Sequence, residues 1–295
     1  MLFKQYRTSF IEKLTPIYDV MEAESFFNIS LSELKGWKRV DLALNPDAEI
    51  SAEEIEQWDA VLQQLEQQKP IQYIFGHTHF YGLDFDVNEH TLIPRPETEE
   101  LVEWVIHDNK ARGTIKILDI GTGSGCIAIS LAKNLPDARL FALDVSAEAL
   151  AVAKKNALNN NVTVAFIEQD ILAAESLPQQ FDVIVSNPPY IRNLEKGEIK
   201  QNVLDYEPHL ALFVEDANPL LFYHRIALLA KANLPRNGKL YFEINQYMGA
   251  ETVQMLKDLG FNNVVLRQDM YGNDRMVSCI SDFRGRFQIE LHSDV

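Results

Sequence analysis

Sulfur is scarce: Cys126 and Cys279 are the only cysteines in 295 residues. Two are too few for a disulfide framework or a cysteine-based zinc site, so both read as small buried hydrophobes. No stretch approaches the roughly 18–20 apolar residues that a bilayer-crossing helix needs. The first residues, MLFKQYRTSFIEKLTPIYDV, interleave charges with apolar side chains and lack the apolar core of a secretion signal. The expected location is cytoplasmic. Basic residues are also few, with 27 Lys and Arg against 43 Asp and Glu and a net charge of −16. Neither the first 80 residues, with 7 Lys/Arg and 13 Asp/Glu, nor the remainder holds a basic run. Gripping duplex nucleic acid through its phosphates takes clustered cations, so no direct nucleic-acid binding is expected and a protein or a small molecule is the expected partner. The seven histidines are scattered, and no cysteine or carboxylate cluster joins His77 and His79, so no metal site is expected. What the chain does have is 46% hydrophobic residues, enough for a substantial core, and length enough for two domains.

The first 69 residues read as helical. SAEEIEQWDAVLQQLEQQ opens with Ser51 as N-cap and Glu54 as its capping-box partner. Ile55, Trp58, Val61, Leu62 and Leu65 follow at helical spacing and predict one buried stripe. From about residue 70 the texture changes, and IQYIFGHTHFYGLDFDVN, with Gly76 and Gly82, predicts a β-hairpin linker over residues 70–95. Pro94 and Pro96 then punctuate a turn, and a helix starts around Glu97 with acids in its first turn. From Thr114 onward strand and helix patterns alternate: IKILDI, CIAISLAKNL, RLFALD, AEALAVAKKNALNN, VTVAFIEQD, FDVIVSN, NPLLFYHRIALLAKANL, GKLYFEI and ETVQMLKDLG, with NNVVLRQ and RMVSCIS as a final antiparallel pair. This alternation predicts an α/β fold with a doubly wound, mostly parallel sheet across residues 96–295, behind a small helical N-terminal domain at 1–69. LDYEPHLALFVEDAN is expected to be a loop over the pocket with solvated charges, and the tail RGRFQIELHSDV has no catalytic reading.

LDIGTGSGCIAIS places Asp119 at the end of the first sheet strand, with Gly121, Thr122, Gly123, Ser124 and Gly125 in the loop before a helix. Glycines here permit a tight turn and close approach of a ligand to backbone. The dinucleotide fingerprint G-x-G-x-x-G would need a glycine where Cys126 stands. The spacing D-x-G-x-G-x-G resembles instead the S-adenosylmethionine loop of class I methyltransferases, in which the acid and the loop face the amino-acid end of the cofactor. Asp144 ends the next strand, nineteen residues after Gly125, where a carboxylate can accept both hydroxyls of a ribose. Asp170 and Ile171 end the third, where they can meet the adenine amine and pack on the ring.

FDVIVSNPPYI runs from a buried strand into Asn187, Pro188, Pro189 and Tyr190 at the same sheet edge. A residue before proline is pushed out of the helical region, and each proline lacks an N–H. The loop is therefore stiff and rich in acceptors, chiefly the Asn187 side-chain oxygen and the Pro188 carbonyl. Two fixed acceptors can hold both hydrogens of a planar NH₂ and aim its nitrogen at an electrophilic methyl, with Tyr190 flanking the plane. Adenine, guanine and glutamine amide nitrogens all meet that description, and a nucleobase would have to be flipped out to reach it.

QYIFGHTHFYGLDFDVNEHTLIPRPETEELVE, the helical N-terminal region and the DRMV stretch Asp274–Val277 together resemble the release-factor glutamine methyltransferases, the PrmC/HemK family. That resemblance implies a seven-stranded class I methyltransferase sheet, S-adenosylmethionine as cofactor, and N5-methylation of the glutamine in the Gly-Gly-Gln loop of class I peptide chain release factors. It also implies residue roles. Asp119, Gly121 to Gly125, Asp144, Asp170, Ile171 and Asn187 would hold the cofactor, Asn187 and Pro188 would carry the catalysis, and Asn187 to Tyr190 would bind the glutamine. The RPETE run, Arg95 to Glu99, would line the substrate and cofactor entrance, with Arg95 and Pro96 binding substrate, and the N-terminal domain would help to grip the release factor.

Overall fold

The computed structural model describes residues 1–282, and the tail after Phe283 lies outside the described residues. The chain divides into two compact units, Met1–Gly76 with Lys200–Tyr206, and His77–Ile199 with the residues from Glu207 onward.

The first unit is built from the helices Phe3–Leu14, Val20–Lys35, Arg39–Leu44, Ala52–Glu66 and Ile71–Phe75, joined by Gln201–Tyr206 from later in the chain. The capping box forms: the Glu54 amide donates to Ser51 Oγ, and Glu54 Oε2 accepts from the Ser51 amide at 2.8 Å. Trp58, Val61, Leu62 and Leu65 are buried along the helix that follows, with Ile55 packed at their edge. Trp58 gathers the core, with the rings of Phe3 and Phe10 edge-on at 5.3 and 5.8 Å and Phe27 tilted at 5.0 Å.

The predicted hairpin is shorter than its sequence pattern. Ile71–Phe75 is helical and ends at Gly76, whose φ of +79° is cheap only for glycine. Strands β1 (His77–Phe80) and β2 (Leu83–Asp86) then pair antiparallel across Tyr81 and Gly82, both at positive φ as a two-residue hairpin turn requires. Phe80 and Phe85 pack into the core of the second unit.

The second unit centres on one sheet. Its strands, with two short ones outside it, are β3 (Lys116–Ile120), β4 (Arg139–Asp144), β5 (Val164–Glu168), β6 (Val183–Ser186), β7 (Ile191–Arg192), β8 (Phe213–Val214), β9 (Lys239–Glu243), β10 (Asn262–Gln268) and β11 (Asp274–Ile280). The seven-stranded sheet has the order β10-β11-β9-β6-β3-β4-β5, and β7 pairs with β8 separately. Pairing is parallel from β9 to β5 and antiparallel at β9–β11 and β11–β10.

Successive strand residues face opposite sides, and both sides are covered. Leu118, Ile184, Leu240 and Phe242 pack with Tyr223, Ile226 and Ala227 of the helix Leu221–Asn233. Ile117, Val183, Val185 and Tyr241 pack with Leu101, Trp104 and Val105 of the helix Pro96–Asn109 and with Ile127 and Ile129 of the helix Cys126–Asn134. This is why the strands read as unbroken apolar runs. The chain proceeds from β3 outward through β4 to β5, then returns to lay β6 on the other side of β3. That reversal opens a crevice at the carboxyl ends of β3, β4 and β6, where ligands of such sheets bind. Among the described residues no helix is long and apolar enough to cross a membrane.

Candidate active site

A cavity of about 300 Å³ occupies this crevice, at the lower end of the range for small-molecule pockets. Of the residues singled out from the sequence, Gly121, Gly123, Asp144, Asp170, Ile171, Asn187, Pro188 and Pro189 line it. Phe222, Leu172, Gln169 and Leu210 line it as well, although the sequence marked none of them as a site residue.

The glycine loop is held by β4. Leu143 O accepts from the Gly121 and Thr122 amides at 2.8 and 3.0 Å, and Asp144 Oδ2 accepts from the Gly123 amide at 2.8 Å. Gly123 has a φ of +53°, and a Cβ added there would meet only open space. Gly125 is different: it starts the helix Cys126–Asn134, and a Cβ there would lie 2.9 Å from Ile129 Cδ1 and 3.1 Å from Ala153 Cβ. Its role is to let helix pack against helix.

Asp119 is fully buried behind the loop. Its Oδ2 accepts from Thr122 Oγ1 at 2.6 Å, while among the described residues Oδ1 has no partner within hydrogen-bond geometry. Burial pushes its carboxyl up to about 7, with the Asp144 charge adding to the rise and the Thr122 hydroxyl and Ala128 amide opposing it. Ser124 is buried too, its carbonyl accepting from Asn156 Nδ2 at 2.9 Å. Asp119, Thr122, Ser124 and Gly125 thus support the loop from behind rather than line the cavity. At the far wall Asp170 Oδ1 accepts from the Leu172 amide at 2.8 Å, which sets Ile171 against the cavity.

On the other side stands the Asn187 loop. Ser186 Oγ donates to Ile120 O at 2.7 Å, tying the ends of β6 and β3 together. Asn187 Nδ2 donates to Thr98 Oγ1 at 3.3 Å, and Thr98 Oγ1 donates to Glu243 Oε2 at 2.6 Å. Among the described residues neither Asn187 Oδ1 nor the Pro188 carbonyl takes part in a hydrogen bond. Tyr190 does not line the cavity: its hydroxyl donates to Glu243 Oε1 at 3.1 Å, and its carbonyl accepts from Asn245 Nδ2 at 2.9 Å. Burial, then the charge of Glu243, pushes the Tyr190 phenol far above its usual range. Glu243 itself is 1% exposed, and burial raises its carboxyl above the usual carboxylate range, opposed by the Thr98 hydroxyl and the charge of Arg275.

Arg95 and Pro96 also lie outside the cavity lining. Arg95 Nη2 pairs with Glu207 Oε1 at 2.5 Å, and Glu207 Oε2 accepts from the Ile93 amide at 3.2 Å. Pro96 is exposed and is the first residue of its helix, a position where its missing N–H costs nothing. The expectation of solvated charges in LDYEPHLALFVEDAN fails at Glu207, which is 4% exposed because Arg95 neutralises it. That segment is also not a plain loop: it holds the helix His209–Leu212 and β8.

Glu207, Glu243 and Asn245 were missed in the sequence, and Thr98 was expected only as part of the RPETE run. Glu243 had left a signal, since a carboxylate closing the apolar run KLYFE of a central strand has no solvent to face. The lone unpaired oxygen of Asp119, the open space at Gly123 and the ring of acids and apolar residues match S-adenosylmethionine, with its cationic amino acid, ribose and adenine.

Comparison with known proteins agrees with this geometry. Residues 12–76 match the family described as the PrmC N-terminal domain, and residues 99–209 match the methyltransferase small domain. The release factor glutamine methyltransferase of Flavobacterium psychrophilum is 61% identical over 280 residues, covering 94% of this chain and 98% of that protein. The protein of the same name from Bacteroides thetaiotaomicron is 43% identical, covering 90% and 96%, and that of Streptococcus pneumoniae is 40% identical, covering 94% and 98%. Among solved structures, the hMettl16 catalytic domain in complex with a MAT2A 3′UTR hairpin is similar with a TM-score of 0.55 at 20% identity, covering 69% of this chain and 77% of that one; this likeness concerns the fold alone. The chain belongs to the release factor glutamine methyltransferase family.

Proposed function

We propose that this methyltransferase moves a methyl group from S-adenosylmethionine to the side-chain amide nitrogen of the glutamine in the Gly-Gly-Gln motif of class I peptide chain release factors. The observation that carries the reading is the pair of acceptors, Asn187 Oδ1 and Pro188 O, with no hydrogen bond among the described residues, beside a cavity that has an acid behind its glycine loop. A bound cofactor supplies an electrophilic methyl on a sulfonium centre.

The residues divide the remaining work. Asp144, whose two oxygens each accept one backbone amide, keeps lone pairs for a ribose diol. Gly121 and Gly123 leave room for a ligand against backbone, and Asp119 offers negative charge to an ammonium behind them. Thr122, Ser124 and Gly125 hold the shape of that loop. Asp170 and Ile171 receive the adenine end. Asn187 Oδ1 and Pro188 O accept the two amide hydrogens, which fixes the nitrogen in line with the methyl and costs no reorganisation during reaction. As the nitrogen bonds to the methyl carbon, the methyl–sulfur bond would break with its electron pair left on sulfur, and the nitrogen would release one proton to water. Pro189 stiffens the loop, and Tyr190 anchors it. Arg95 acts through Glu207 to hold the Ile93–Arg95 backbone beside Leu92, which lines the cavity, and Pro96 starts the helix that carries Thr98. Residues 1–69 are assigned to gripping the release factor. A protein partner rather than nucleic acid belongs to the same reading and is supported by the net charge of −16; a cytoplasmic location belongs to it too.

Incubation with isotopically labelled S-adenosylmethionine and either a release factor or bulk nucleic acid tests the substrate class. Label is expected in the release factor; label in nucleic acid alone overturns the reading.

A further inference from the structure

We propose that Glu243, acting through Thr98, sets which way the Asn187 amide faces, and so makes the site select a substrate that presents an NH₂ group. The assignment rests on the amide-holding role given to Asn187 above.

The inference follows from counting hydrogens. While Glu243 is ionised it is acceptor-only, and the Thr98 hydroxyl has a single hydrogen. That hydrogen is committed to Glu243 Oε2 at 2.6 Å. Thr98 Oγ1 can then only accept, and the Asn187 atom 3.3 Å away must be the donor Nδ2. Turning the amide over would set Oδ1 against the lone pairs of Thr98, acceptor against acceptor. Asn187 Oδ1 is therefore held pointing away from Thr98, as an acceptor. Without the carboxylate, Thr98 is free to donate to Asn187, and the amide can turn over to present its NH₂ to the substrate's own NH₂.

Three separate parts of the chain converge on this relay: the first turn of the helix Pro96–Asn109, the loop after β6 and the end of β9. The second oxygen of Glu243 takes the Tyr190 hydroxyl at 3.1 Å, so the same carboxylate anchors the other end of the Asn187–Tyr190 loop. Burying a carboxylate at 1% exposure is costly. An apolar side chain would fill the space more cheaply, and what the carboxylate contributes in exchange is a fixed hydrogen-bond polarity. Glu243 and Thr98 are positioning residues, since neither lines the cavity.

Full-length wild type, Thr98→Val, Thr98→Ser and Glu243→Gln are compared for methyl transfer to a release factor and for S-adenosylmethionine affinity. Thr98→Val keeps the shape and removes the relay. It is expected to lower kcat about 10²-fold while the release-factor KM and the cofactor Kd stay within about threefold of wild type. Thr98→Ser keeps the hydroxyl and restores most of the lost turnover. Glu243→Gln also lowers kcat, because an NH₂ that cannot accept replaces one of the two oxygens that take the Thr98 and Tyr190 hydroxyls. Wild-type turnover in Thr98→Val overturns the relay, as does a loss that Thr98→Ser shares or one matched by equal loss of cofactor affinity. Should Thr98→Val not yield folded protein, wild-type turnover in Glu243→Gln overturns it. Failure of the wild type itself to methylate the release factor overturns the parent reading and the relay with it.

Discussion

Two glycines two residues apart in the cofactor loop should respond to the same substitution in opposite ways. Gly125 has a φ of +83°, and a methyl there would lie 2.9 Å from Ile129 Cδ1, 3.1 Å from Ala153 Cβ and 3.4 Å from Ala153 Cα. A left-handed backbone costs an alanine about 1–2 kcal/mol, and forcing a methyl into packed helices costs about 1–3 kcal/mol more. Gly125→Ala should therefore destabilise the protein by about 2–5 kcal/mol. Gly123 has a φ of +53° with nothing within 4 Å of an added Cβ. Its backbone penalty of about 1 kcal/mol is partly offset by the stiffer unfolded chain, so Gly123→Ala should cost about 1 kcal/mol or less. Gly123 lines the cavity, however, and its new methyl would stand where the cofactor approaches backbone. Affinity should fall about tenfold or more. Urea unfolding of ligand-free protein gives the first pair of numbers, and calorimetric titration with S-adenosylmethionine gives the second. The reasoning is refuted if Gly125→Ala is no less stable than Gly123→Ala, or if Gly123→Ala binds cofactor as wild type does.

Asp119 should make ligand-free stability depend on pH. Its folded carboxyl is raised to about 7 from 3.8, so its contribution is fully present below the unfolded value and is lost as pH rises through about 7. The gap of about three units corresponds to a loss on the order of 4 kcal/mol relative to Asp119→Asn between about pH 4 and pH 7, and a constant difference between the two unfolding midpoints across that range would contradict it. Asn187→Ala should lower transfer about 10²–10³-fold while sparing cofactor affinity, because it removes one of two substrate acceptors; near-normal turnover would reduce the loop to a strand-ending turn.

The fold was legible where periodicity alone decides structure. Strands buried on both faces, such as Lys116–Ile120 and Val183–Ser186, could only read as apolar runs, and the helices between them showed their caps and stripes. The short elements were not legible. Ile71–Phe75 alternates like a strand yet turns helical between Pro70 and Gly76, and β7 and β8 have only two residues each, too few to show a period.

At the site, the glycine loop and Asn187–Tyr190 announced themselves because their chemistry lies in contiguous residues. The relay did not, because Thr98 is 89 residues from Asn187 and 145 residues from Glu243 along the chain. The pairing of β6 with β9 and the packing of the helix Pro96–Asn109 on the sheet bring them together. Glu207 hid for a related reason: its charge is buried by Arg95, 112 residues earlier.

The most direct test of the central claim is transfer of labelled methyl from S-adenosylmethionine to a class I release factor carrying either Gly-Gly-Gln or a variant with that glutamine replaced. The account predicts label on the native release factor, located to the glutamine by peptide mass analysis, and none on the variant. Equal labelling of both would contradict it.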